Sequence, residues 1–180
     1  MMLKSLTMEN VKVVTGEIEK LRERIEKVKE TLDLIPKEIE ELERELERVR
    51  QEIAKKEDEL IAVAREIRHK EHEFTEVKQK IAYHRKYLER ADSPREYERL
   101  LQERQKLIER AYKLSEEIYE LRRKYEALRE EEEKLHQKED EIEEKIHKLK
   151  KEYRALLNEL KGLIEELNRK AREIIEKYGL

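Results

Sequence analysis

Five histidines, His69, His72, His84, His136 and His147, are the residues of this chain best suited to metal or acid–base chemistry. Three of them follow a glutamate by three residues (Glu66, Glu133 and Glu144), the E-x-x-H spacing with which facing helices assemble carboxylate-bridged metal sites. The spacing discriminates little here. Of the 46 acids only Asp33, Asp58, Asp92 and Asp140 are Asp, so Glu fills 42 of 180 positions and one or two such pairs arise by chance. None of these three histidines lies on the apolar stripe described below, so inward convergence on an ion is not expected. Cysteine is absent, which removes disulfides, thiolate chemistry, zinc ribbons and iron–sulfur ligands. No nucleophile elbow, phosphate-binding glycine loop or Ser/His/Asp constellation occurs, and the expectation is a non-enzymatic protein with no catalytic residue, no cofactor and no metal.

A second chemistry is carried by aromatic and basic side chains in mid-sequence. Residues 75–113 hold 11 Lys/Arg against 7 Asp/Glu, net +4, whereas 43–74 with 114–145 hold 15 against 23, net −8. Tyr83, Tyr87, Leu101, Ile108, Tyr112 and Tyr119 lie off the apolar stripe near that basic segment, among Arg85, Lys86, Arg90 and Arg95. Large apolar side chains at positions expected to face solvent mark an interface, with a partner or between copies of the chain. Leu157, Ile164 and Ile175 form a second such set, suited to a dimer contact or to receiving the N-terminal segment.

The elements that must position these residues are set by a heptad pattern. Charged residues make up 49% of the chain and apolar types 37%, with 3 Gly and 2 Pro, which leaves disorder or long patterned helices as the options. From Ile18, steps of three and four pass through Leu21, Ile25, Val28, Leu32, Ile35, Ile39 and onward to Ala91. Along that run 19 of 22 stripe positions are apolar, the exceptions being Lys56, Lys70 and His84. A second run from Tyr97 to Lys177 has 19 of 24, interrupted by Arg104, Glu132, Glu139, Lys170 and Lys177. Such stripes are how one helix buries itself along another, and they exclude disorder.

The two runs are out of phase, and Asp92-Ser93-Pro94-Arg95-Glu96 supplies the break. Ser93 and Glu96 have the spacing of a capping box, and Pro94 stands at the first helical position, where its missing N–H costs nothing. The fold class that follows is all-α: a long antiparallel two-helix coiled-coil hairpin. Residues 1–10 are unassigned, 11–91 form the first arm, 92–96 the turn, and 97–178 the second arm. Folding back about Pro94 pairs residues whose numbers add to 188, so that Leu60 meets Leu128, Phe74 meets Leu114, His84 meets Arg104 and Lys56 meets Glu132. Pro36 is expected to kink or briefly interrupt the first arm without changing its register, and Gly162 to be a soft point in the second.

At Glu96-Tyr97-Glu98-Arg99-Leu100-Leu101-Gln102-Glu103 the chain resembles the C4-type zinc-ribbon coiled-coil family, whose members have a long helical hairpin with an E-Y-x-x-L-x-x-E motif opening the second helix. Glu96, Tyr97, Leu100 and Glu103 carry the match. The family's CxxC…CxxC ribbon, considered to bind nucleic acid or protein, has no counterpart here, since there is no cysteine. The resemblance therefore implies a rigid hairpin acting as a protein-interaction adaptor.

The formal charge of −3 points to no class of partner, and no run of 18 apolar residues or signal-peptide core is present, so a soluble cytoplasmic protein is expected. The excess of Glu, Lys and Arg with few amides is thermophile-like in composition. The expected function is a scaffold or adaptor that binds a protein partner through the aromatic, basic tip, with self-association also possible. Two alternatives are a nucleic-acid binder using the same basic tip, and a structural stalk subunit of a larger assembly.

Overall fold

Strong helix formers fill most positions off the apolar stripes, and the helical run breaks at Ser93-Pro94, so two long helices result. The computed structural model describes residues 8–178. Helix α1 is Met8–Glu89 and helix α2 is Pro94–Tyr178. The N-terminal segment left unassigned by the heptad pattern therefore contributes Met8 onward to α1, and its first seven residues lie outside the described residues. Residues 90–93 connect the helices, and α2 opens at Pro94, so that Arg95 and Glu96 belong to its first turn rather than to the connection. The cap is half of a capping box: the Glu96 N–H donates to Ser93 Oγ (3.2 Å) and the Tyr97 N–H to the Ser93 carbonyl (3.0 Å). Pro36 does not interrupt α1, which is helical on both sides of it.

Two compact units divide the hairpin: Val49–Lys138 is one, and α1 up to Arg48 with α2 from Glu139 is the other. In the first, Leu60, Val63 and Leu128 form a buried cluster with Ile67, Leu121 and Tyr125 packed against it. These residues pair as the sum of 188 requires, with Leu60 opposite Leu128, Val63 opposite Tyr125 and Ile67 opposite Leu121. In the other unit the buried residues are Ile25, Val28, Leu32, Ile35 and Leu46 of α1 with Ile142 and Ile146 of α2. Arg24 reaches Glu159 at 2.6 Å and Lys170 reaches Glu17 at 3.1 Å, which fixes the same antiparallel sense there. Every buried hydrophobic residue occupies a stripe position, and no polar or charged residue among those described is buried. Of the second stripe only its two end positions, Tyr97 and Lys177, are exposed.

The polar seam residues take partners beside the seam rather than across it. Lys56 Nζ lies 2.8 Å from Glu131 Oε2, not on the expected Glu132, and Lys70 Nζ lies 2.7 Å from Glu117 Oε2. A lysine at a core position is long enough to bring its ammonium out to the flank, where its carboxylate partner stays hydrated. These contacts raise the pKa of both lysines, first through the hydrogen bond, and lower those of Glu131 and Glu117 for the same reason.

Candidate functional site at the hairpin tip

The last turns of α1 and the early turns of α2 lie in the Val49–Lys138 unit and position the aromatic residues. Lys80, Tyr83, His84 and Tyr87 recur at spacings of three and four on α1, and Glu103, Lys106 and Leu107 do so on α2. Together they line an open groove of about 500 Å3. Its apolar surfaces come from the two tyrosines and Leu107, and its cations are Lys80 and Lys106. Tyr83 and Tyr87 are more than half exposed, at 59% and 55%. An exposed aromatic of this size presents a flat apolar face at little cost in side-chain entropy, the property that suits tyrosine to interfaces.

His84 forms the floor between the tyrosines. Its imidazole is half-buried, its Nε2 lies 3.4 Å from Glu103 Oε2, and its ring meets Tyr87 edge-on at 6.0 Å between centroids. His84 Nδ1 and Arg104 Nε are buried without a hydrogen-bond partner. The seam layer under this groove is therefore built from two nitrogen-bearing side chains in place of an aliphatic pair.

The other residues expected at the tip are distributed around this groove. Leu101 (42% exposed) and Tyr112 (69%) are on the surface of α2 but do not line it. Tyr119 borders a separate shallow groove with Arg122 and Arg123, and the Arg123 guanidinium lies over its ring. Ile108 is a correction: expected to be exposed, it is half-buried, because it follows Leu107 on α2 and widens the seam. Arg85, Lys86, Arg90 and Arg95 are all exposed, and Lys86 Nζ stands 5.8 Å from the Tyr83 ring centroid. Lys80 and Lys106 have no mark in the sequence pattern, and Glu103 and Leu107 stand in it only as a motif and a stripe position, although the antiparallel register places the three α2 residues opposite the tyrosine-bearing turns of α1.

A further open groove of about 440 Å3 lies on α1 alone, lined by Glu38, Glu41, Leu42, Arg44, Glu45 and Arg48. Its walls are charged and it contains one apolar residue, so it lacks the aromatic surface of the tip groove. Among the described residues no helix is long and apolar enough to cross a membrane. No family model and no solved structure significantly matches the chain.

Proposed function

We propose that the protein is a non-enzymatic cytoplasmic adaptor whose hairpin tip docks an acidic protein segment carrying an aromatic or aliphatic side chain. The observation that carries this reading is the groove that sets Tyr83, Tyr87 and Leu107 between Lys80 and Lys106. An apolar side chain of the partner would lie against the tyrosines, while carboxylates flanking it would meet the two ammonium groups. The resemblance to the C4-type zinc-ribbon coiled-coil family supports the adaptor role. In that comparison Leu100 is a buried seam residue and Tyr97 is exposed.

The test is selection from a random peptide display library on the full chain, counter-selected on a chain carrying Tyr83→Ser and Tyr87→Ser. Enrichment of peptides with an aromatic or aliphatic residue flanked by Asp or Glu is the expected result. Peptides that bind both chains equally, or a consensus without acidic residues, would overturn the proposal. Helicity measured by circular dichroism should be the same in both chains, since both tyrosines lie outside the seam.

A further inference from the structure

The Val49–Lys138 unit repeats one cross-arm arrangement two heptads apart. In the first copy Lys70 pairs with Glu117, and Glu71 pairs with Arg122. Moving fourteen residues back on α1 and fourteen forward on α2 gives Lys56 paired with Glu131, and Glu57 placed opposite His136. The second copy departs from the first at two positions. Arg122 is replaced by His136, and the buried seam residue Ile118 by the half-buried Glu132.

Both departures convert an ion pair into a ligand set. The guanidinium of the first copy is a permanent cation with no lone pair to give, whereas an imidazole is a nitrogen ligand. Replacing Ile118 by Glu132 adds a carboxylate one helical turn from that imidazole, with His136 Nε2 3.2 Å from Glu132 Oε1. Ligand atoms of Glu57, Glu132 and His136 all lie within 4.8 Å of one another. Three atoms bound to one ion at about 2.0–2.2 Å stand no more than about 4 Å apart, so closure needs only small side-chain rotations. A divalent cation between the two carboxylates would be held by their charge as well as by the imidazole nitrogen.

We infer that Glu57, Glu132 and His136 form a binding site for a divalent first-row transition cation of the Zn2+ class, which clamps α1 to α2 at this layer. One imidazole with two carboxylates selects such an ion over Mg2+, which takes oxygen ligands, and three protein ligands leave the remaining coordination to water. His72 and Glu76 supply an internal comparison. They form an i,i+4 pair on α1 at the same 3.2 Å, with the order of imidazole and carboxylate reversed, but they belong to no such three-ligand group among the described residues.

Titration of the full chain with Zn2+ by calorimetry, with Mg2+ run in parallel, tests the site. One equivalent of Zn2+ should bind in preference to Mg2+. His136→Ala and Glu57→Gln should each weaken binding at least tenfold, and His72→Ala should leave it unchanged. Glu57 and His136 are exposed and off the seam, so circular dichroism of both variants should show the parent helicity. Absence of Zn2+ binding by the parent overturns the site. So does a Glu57→Gln chain that binds as tightly as the parent, which would reduce the site to an ordinary pair on α2.

Discussion

Lys70 and Glu117 hold each other's charge in place across the two helices, and the direction of their pKa shifts determines how the fold responds to pH. The hydrogen bond from Lys70 lowers the Glu117 carboxyl below its ordinary value of 4.5, Arg110 does the same for Glu73, and Lys56 for Glu131. A carboxyl with a depressed folded pKa stabilises the fold fully above its ordinary value, and that contribution is lost as pH falls through the folded value. Lys70 and Lys56 are raised above 10.5, so their contribution is complete below that value and is lost as pH rises through the folded one. These pairs therefore contribute fully to the melting temperature between the carboxylate range and the lysine range, and their contribution falls on both sides. Replacing Glu117 with Gln removes one acid-limb group and the main cause of the Lys70 shift. Melts recorded by circular dichroism across pH should show both limbs shallower in that variant than in the parent. Limbs of equal steepness would mean that these exposed pairs are too well solvated to contribute.

Within the helices, two backbone positions weaken elements that the seam otherwise holds together. Gly162 lies in the interior of α2 with nothing within 4 Å of where a Cβ would stand. Gly162→Ala should stabilise by about 1 kcal/mol, the difference in helix propensity, because no contact opposes it. Pro36 lies on the solvent face of α1, directly after the buried Ile35, and cannot donate to the Leu32 carbonyl. Pro36→Ala restores that hydrogen bond and should stabilise by up to about 3 kcal/mol in chemical denaturation. An unchanged or lower midpoint for the alanine variant would mean that proline is required at this point. The contrast also shows what sequence can and cannot specify. Seam positions such as Leu60 and Leu128 are legible because a heptad repeat leaves one way to bury them, and a short turn at Pro94 leaves one register. The partner of Lys56 is not legible. The Lys56 ammonium stands between Glu131 of α2 and Glu59, one turn toward the C-terminus of its own helix, a placement that heptad spacing does not encode. The Glu57, Glu132 and His136 group is not legible for a related reason, since it joins an i,i+4 pair to a residue on the opposite helix, whereas E-x-x-H spacing lies within one helix.

At the scale of the whole molecule, a net charge of −3 conceals a segment, residues 75–113, that carries +4 and bears the groove tyrosines. Charge and apolar surface at one place act on different steps of association. Exposed cations raise the rate of encounter with an acidic partner over distances up to the Debye length, about 8 Å at physiological salt, and contribute little once the complex is formed. Desolvated aromatic contacts act on the complex itself and set how long it lasts. For an acidic peptide selected on the tip, the association rate should fall about tenfold between low and physiological ionic strength, with the dissociation rate nearly constant. Arg85→Glu with Lys86→Glu should reproduce that fall at low salt. Tyr83→Ser with Tyr87→Ser should instead raise the dissociation rate at least tenfold and leave association almost unaffected. Stopped-flow or surface-based kinetics on these two double variants separates the contributions. If the charge reversals alone abolished binding and the tyrosine variant kept parent kinetics, the tip would act through its cations only. A single-stranded oligonucleotide would then be the ligand to test in place of the peptide, by the steep salt dependence expected of phosphate contacts.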